Sequence, residues 1–190
     1  SSTIDTLKLS LEDKDEFKKL FAIDLLRTLP LSPWKETIQN QFLSASDKVK
    51  RGILELCWLK REIITDDMII NQIHHKDEIS AYAILCATDR NITKNIKDID
   101  SFLIERNVHL KFSALVVMIN DPSRSEKATK IVNQTLIDGN EKEITRLLLF
   151  LKHSDYKISE NLILKYLNSK NSELITQTLG MISQKHQEEY

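Results

Sequence analysis

The stretch that decides the fold is residues 45–59, Ala45-Ser-Asp-Lys-Val-Lys-Arg-Gly-Ile-Leu-Glu-Leu-Cys-Trp-Leu59. Ser46 and Asp47 favour the N-cap of a helix, where their side chains accept hydrogen bonds from the free amides of the first turn. Apolar residues then recur at helical spacing, which predicts one apolar face. These residues are Val49, Ile53 and Leu56, and a second apolar side carries Leu54, Cys57 and Trp58. We therefore expect this helix to have neighbours on more than one flank.

The same pattern returns along the chain. An apolar lead residue near a predicted helix start recurs at intervals of roughly 30 to 34 residues, shortly after an Asp or Asn. The lead residues are Phe17, Val49, Ile79, Leu110, Ile144 and Leu174. The polar residues before them are Asp15, Asp47, Asp77, Asn107, Asn140 and Asn171. A helix pair with this period predicts an α-solenoid, because each pair buries its face only against the next pair.

Helices are predicted throughout the chain. Their approximate ranges are 4–11, 17–29, 34–43, 47–59, 66–74, 78–86, 96–105, 108–120, 126–138, 144–151, 158–168 and 172–184. In the second of these helices, the residues with amphipathic spacing are Ala22, Leu25, Leu26 and Leu29. Gly139 is expected to end the ninth helix in the manner of a C-cap glycine.

The composition favours a folded, helical protein. Hydrophobic residues make up 41% of the 190 residues and charged residues 29%. The chain has only three Gly and three Pro, which all-β folds need at their many turns. The formal net charge of -1 gives no overall positive field to gather nucleic acid, so a nucleic-acid partner is not expected. No apolar run approaches the ~20 residues of a membrane-spanning helix, so we expect no insertion into a membrane.

The two cysteines, Cys57 and Cys86, lie in apolar helical runs. This placement predicts buried free thiols in a reducing compartment, and hence a cytoplasmic location. A disulfide between them is the less favoured alternative. The chain starts at Ser1 without a Met, and we expect it to be part of a longer polypeptide.

Residues 47–54, Asp-Lys-Val-Lys-Arg-Gly-Ile-Leu, resemble the second helix of HEAT repeats, in which an acidic cap precedes valine, a basic residue and small or apolar positions. Residues 77–85 resemble it too but lack the basic residue, and the units are shorter than the ~40–47 residues typical of that class. The resemblance implies one all-α domain over residues 1–190, a HEAT-like superhelix of about six antiparallel helix pairs. The approximate units are residues 1–30, 31–62, 63–92, 93–121, 122–154 and 155–190.

A second resemblance concerns residues 20–34, Leu-Phe-Ala-Ile-Asp-Leu-Leu-Arg-Thr-Leu-Pro-Leu-Ser-Pro-Trp. They are similar to the start of HEAT-like regions that follow bacterial membrane transporters of the ATP/ADP translocase type. The similarity covers little more than one repeat. It implies a soluble cytoplasmic domain of a membrane nucleotide transporter, with contacts inside the same polypeptide.

No residue pattern points to catalysis, a cofactor or a metal. His74 and His75 are adjacent, so on a helix their side chains point ~100° apart and cannot grip one metal as an i, i+4 pair would. The acidic pair Asp66-Asp67 stands at a predicted helix start, where the helix dipole favours carboxylates. We therefore expect no enzymatic activity.

Six basic residues take predicted outward positions on the second helices, which line the concave face of a HEAT-like array. They are Lys18, Lys19, Lys50, Arg51, Lys111 and Arg146. Stacked repeats would set them in one basic row able to meet an acidic peptide, phosphate groups or a nucleic-acid backbone. The alternative is a solvated face whose lysine stems cover apolar surface. Trp34 and Trp58 are expected to pack between repeats rather than to act as exposed binding anchors.

The function we expect is a non-catalytic scaffold that binds another protein, or another part of a longer parent chain, on a curved surface. The first alternative is the regulatory domain of a transporter. The second is a nucleic-acid-binding helical-repeat protein, which would show salt-dependent affinity for duplex DNA. For the fold, a plain helical bundle without repetition is the remaining alternative.

Overall fold

The computed structural model describes the backbone of residues 2–189 and the side chains of residues 3–183. All regular secondary structure in this part of the chain is helical, which confirms the all-α prediction. The helices are α1 (Ser2–Glu12), α2 (Glu16–Leu25), α3 (Lys35–Phe42), α4 (Asp47–Leu59), α5 (Asp66–His74), α6 (Glu78–Asp89), α7 (Val108–Ile119), α8 (Ser125–Asp138), α9 (Glu141–Leu151), α10 (Glu160–Leu167) and α11 (Ser172–Glu189). Two 3-10 helices, Thr93–Asn95 and Ile99–Ile104, lie between α6 and α7. None of the described helices is both long and apolar enough to cross a membrane.

Polar N-caps begin the helices that follow the repeated pattern. The capping side chains of α2, α4, α6, α7, α9 and α11 are Asp15, Ser46, Asp77, Asn107, Asn140 and Asn171. Each accepts a hydrogen bond from a first-turn amide, which satisfies a donor that the helix itself leaves unpaired. Five of the six match the predicted polar residues, and in α4 the cap is Ser46 with Asp47 as the first helical residue.

The chain divides into two compact units, of which the first ends at Lys97 and the second begins at Asp98. In the first unit α2, α4 and α6 lie side by side, with α4 contacting both of the others. Helices α1, α3 and α5 pack on α2, α4 and α6, respectively. The three helix pairs of this unit therefore follow one another in chain order, whereas the superhelix and the single six-pair domain stay predictions.

The two tryptophans pack within the first unit, as predicted. Trp34 is 3% exposed, and its indole N–H donates to the carbonyl of Ile4 at 3.4 Å. The Trp58 ring stacks on Tyr82 of α6, with centroids 5.7 Å apart, and its indole N–H donates to the Tyr82 carbonyl at 3.3 Å. Trp58 thus joins α4 to α6.

In the second unit α7, α9 and α11 lie side by side, with α8 against α7 and α10 against α11. The α-helix predicted over residues 96–105 is wrong, because Asp98 has a left-handed φ of 54° and a 3-10 helix follows it. The buried side chains of Ile99 and Phe102 are three residues apart, which matches the three-residue turn of a 3-10 helix.

Gly139 ends α8 in a way that the sequence did not predict. Its φ is -68°, so the left-handed conformation typical of a C-cap glycine is not adopted. A Cβ at this position would lie 2.6 Å from the carbonyl oxygen of Thr135. The position therefore requires glycine for space rather than for backbone freedom.

Candidate interaction surface

The structure places the six predicted basic residues in different surroundings. Lys18, Lys19, Lys50 and Arg51 lie in the first unit, and Lys111 and Arg146 lie in the second. Lys18 is exposed, whereas the other five are half-buried. Their membership of one basic row stays a prediction.

Two of the half-buried lysines stand on the buried sides of their helices. On α2, Lys19 precedes the buried Ala22 and Ile23 by three and four residues, and residues at that spacing share a helix face. On α4, Lys50 has the same relation to the buried Leu54. This arrangement matches the alternative in which lysine stems cover apolar surface and carry the charged head to water.

Arg51 takes part in the packing of α4 on α6. Its Nε donates to Glu55 Oε1 at 3.0 Å, and its guanidinium carbon lies 4.7 Å from the centroid of the buried Tyr82 ring. A cation over an aromatic face contributes about 0.5–1 kcal/mol. Arg51 is therefore better explained as a contact between neighbouring helices than as an outward binding residue.

Helix α2 carries an exposed apolar face that includes Leu25, which the sequence interpretation placed in the apolar stripe of the helix. Phe17, Phe21 and Leu25 are 76%, 61% and 40% exposed. They are four residues apart, so they lie along one side of the helix, with Lys18 beside them. We call these four residues the α2 surface.

The exposure of this face corrects two predictions. Phe17 was aligned with the lead residues of five other helices, and it differs from them in exposure. The five are buried, each at most 7% exposed: Val49, Ile79, Leu110, Ile144 and Leu174. Leu25 was assigned to the buried stripe of α2, which was also predicted to run to residue 29, whereas the helix ends at Leu25. The residues of that stripe that the structure buries are Ala22 and Leu26.

The opposite side of α2 is held firmly. Ala22 and Leu26 are 0% and 2% exposed there. Gly52 of α4 lets the helices approach closely, since a Cβ on it would lie 3.2 Å from Leu20 Cδ2. The Ser46 hydroxyl donates to the Glu16 carboxylate, which ties the first turns of α2 and α4 together. The α2 surface is thus presented by a fixed helix.

One signal in the sequence indicates this surface. Helix α2 has apolar residues on two sides, Phe17 and Phe21 on one and Ala22 and Leu26 on the other. The same two-sided pattern predicts two buried flanks in α4, where the structure confirms it for Leu54. A contiguous exposed patch is informative in a way that a single exposed apolar residue is not.

The charges around the α2 surface are mixed. Lys18 forms an ion pair with Asp13 at 3.5 Å, with the lysine side chain 60% exposed. At the other end of α2, the Arg27 Nε lies 4.0 Å from Asp24 Oδ1. Exposed pairs of this kind contribute little to stability, so these side chains are able to turn towards a partner at small cost.

The histidine pair and the aspartate pair noted in the sequence lie at the two ends of α5. No group of three or more His, Cys, Asp or Glu side chains among the described residues is placed to hold a metal ion. His74 and His75 are both exposed at the end of α5, and Asp66 and Asp67 stand in its first turn. The clefts in the described part of the chain include one of about 590 Å³ in the first unit and one of about 350 Å³ in the second.

Comparison of the chain with models of protein families, with curated proteins and with solved structures gives no match in any of the three.

Proposed function

We propose that this chain is a non-catalytic scaffold that binds another protein through the α2 surface. The observation that carries the proposal is the exposure of Phe17, Phe21 and Leu25 on one side of a fixed helix. The helix pairs of the first unit, each with a polar N-cap on its second helix, support assigning the chain to the HEAT-like repeats. The partner is a separate protein or another part of a parent polypeptide.

The physical reason is the cost of leaving these side chains in water. Burying apolar area contributes about 25 cal/mol per Å², and an aromatic side chain offers 150–250 Å². Aromatic residues also dominate the small set of side chains that account for most binding energy. An apolar groove or an amphipathic helix suits a row of anchors at i, i+4 and i+8, and an acidic group on its rim would pair with Lys18.

Capture of the partner by paired variants tests this function. The immobilised chain is exposed to extract from cells that express it, as wild type, as Phe17→Ser/Phe21→Ser and as Leu43→Ser/Leu59→Ser. The control leucines are 62% and 55% exposed, so they match the phenylalanines in exposure but lie outside the α2 surface.

We expect the partner to be lost from the phenylalanine variant and kept by the leucine variant. Both should unfold close to the wild-type temperature, because exposed side chains contribute little to the folded state. Equal capture by all three proteins would contradict the proposal, and so would equal loss from both variants.

Duplex DNA is a weaker candidate partner. A DNA-binding face needs several cations free to meet phosphates, and of the six predicted cations one is exposed. We expect no binding of duplex DNA at low salt. A clear binding curve that weakens steeply with added salt would reverse this preference.

A further inference from the structure

Two thiols meet where α4 packs on α6. Cys57 of α4 and Cys86 of α6 are both free, and they are 1% and 0% exposed. Cys86 Sγ lies 3.3 Å from the carbonyl oxygen of Leu54, one turn before Cys57 on the same helix. Cys86 is therefore a side chain of α6 that reaches the last turns of α4, where Cys57 stands. The fold thus brings together two cysteines that are far apart in the chain.

An arginine stands beside this pair. Arg90 follows α6, and its Nη1 donates to the carbonyls of Arg61 and Ile64 at 2.6 and 2.5 Å. Its Nε lies 2.8 Å from Asp66 Oδ1, and the Arg61 carbonyl that its Nη1 contacts also accepts from the Cys57 thiol at 3.5 Å. Arg90 is therefore fixed by partners from the segment after α4, and its charge is held next to one thiol of the two.

The surroundings shift the pKa values of the two thiols in opposite directions. The neighbouring Cys86 thiol and the charge of Arg90 hold the pKa of Cys57 below its ordinary value, although burial opposes them. Burial raises the pKa of Cys86 well above its ordinary value. A thiolate is the reactive form of cysteine, and a neighbouring cation favours it, so the surroundings favour Cys57 over Cys86 as the attacking group.

We propose that Cys57 and Cys86 form an oxidation site in which Cys57 attacks a peroxide and Cys86 resolves the product as a disulfide. The Cys57 thiolate attacks one peroxide oxygen, the O–O bond breaks, and Cys57 becomes a sulfenic acid. The hydroxide that leaves takes up the proton that the Cys57 thiol released, which gives the first molecule of water. Cys86 sulfur then attacks the Cys57 sulfur, the S–O bond breaks, and the released hydroxide takes the Cys86 proton. Two thiols lose two electrons in total, and hydrogen peroxide is reduced to two molecules of water.

We expect peroxide to reach Cys57 by local opening at the end of its helix. Cys57 lies in the last turn of α4, and its thiol donates to the carbonyl of Arg61 at 3.5 Å, in the irregular segment that follows. Terminal turns open at the lowest free-energy cost in a fold. Arg90, which shares the Arg61 carbonyl with Cys57, also lines the cleft of about 590 Å³ in the first unit, and hydrogen peroxide is small enough to enter it.

Oxidation of serine variants tests this site. The whole chain is treated with hydrogen peroxide below its unfolding temperature, as wild type, Cys57→Ser and Cys86→Ser, with dimedone present to trap sulfenic acid. Serine keeps a hydroxyl donor for the carbonyls that the thiols contact, and circular dichroism checks that each variant is folded. We expect the wild type to lose the mass of two hydrogen atoms, Cys86→Ser to gain dimedone at residue 57, and Cys57→Ser to stay unmodified.

Substitution of Arg90 tests the role of the charge beside Cys57, and substitution of Arg61 is its matched control. Arg90→Gln should slow the oxidation several-fold, because the charge beside the thiolate is gone. Arg61→Gln removes an equal charge from an exposed side chain in the same region and should leave the rate unchanged. The proposal is overturned if the wild type is oxidised only as it unfolds, if dimedone reacts at Cys86 first, or if Arg61→Gln slows the reaction as much as Arg90→Gln.

Discussion

Helices α2 and α6 begin in the same way and end up in different places. Each starts at an aspartate N-cap, and each carries its apolar lead residue two positions later. Phe17 of α2 is nevertheless 76% exposed, whereas Ile79 of α6 is 7% exposed. Helix α6 is covered along residues 79–87, while α2 rests on α1 and α4 by one side.

The difference teaches that a local pattern specifies a helix and its cap, whereas burial depends on how many neighbours the helix receives. The same apolar spacing therefore has two outcomes in this chain. On α6 it holds the first unit together, and on α2 it leaves Phe17, Phe21 and Leu25 exposed. Each of the following predictions compares a substitution at α6 with a matched substitution at α2 or at the α4 residue that α2 contacts.

The largest expected difference concerns two aromatic side chains. Tyr82→Ala on α6 should destabilise the protein by about 3–5 kcal/mol, since the ring is fully buried and stacked on Trp58. Phe21→Ala on α2 should change the free energy of unfolding by no more than about 0.5 kcal/mol, because its side chain is already in water. Urea unfolding followed by circular dichroism measures both, and similar losses would break the comparison.

The next largest difference in stability should come from added side-chain volume. Ala83→Leu on α6 inserts atoms into a position with 0% exposure and should cost about 1–3 kcal/mol. Gly52→Ala, where α2 rests on α4, should change stability by less than about 1 kcal/mol. The gain in helix propensity offsets the small shift required of Leu20, whose Cδ2 would lie 3.2 Å from the new methyl group. If Gly52→Ala lowers the unfolding temperature more than Ala83→Leu does, α2 packs on α4 too tightly to accept one methyl group, and the comparison fails.

The N-caps should show the smallest difference. The Asp77 carboxylate accepts from the Ser80 amide at 2.9 Å and from Gln72 Nε2 at 3.2 Å. Asp77→Ala should therefore cost about 1–2 kcal/mol, in the upper part of the range for a lost cap. Asp15 accepts from the Phe17 amide at 2.9 Å, and Asp15→Ala should cost about 0.5–1 kcal/mol. A larger loss for Asp15→Ala in urea unfolding would mean that α2 contributes more to the fold than α6.

The features that could be predicted from the sequence are those that depend on residues close together in the chain. The helix over residues 66–74 has the predicted bounds, and the polar residues before the second helices serve as caps, because capping and helical periodicity act within a turn or two. The burial of Cys57 and Cys86 also followed from local apolar runs and is confirmed. These features need no knowledge of which helices meet.

The features that were missed depend on distant parts of the chain. Arg51 was predicted to face outward, yet its partner Tyr82 belongs to the next helix pair. Phe17 was aligned with five lead residues that are buried, but α2 has no described helix on that side to cover it. The turn at Asp98 arises from a left-handed backbone that residues around it did not reveal. Periodicity gives the faces of a helix without identifying what covers them.

Photo-crosslinking from α2 tests the binding surface most directly. Benzoylphenylalanine is placed at position 21 in one protein and at position 43 in another, and both are irradiated in cells that express them. The native side chains are 61% and 62% exposed, so the probes are equally accessible. Position 21 should yield one discrete adduct with a protein segment, and position 43 should yield none. No adduct from position 21, or the same adducts from both positions, would contradict the assignment of the α2 surface.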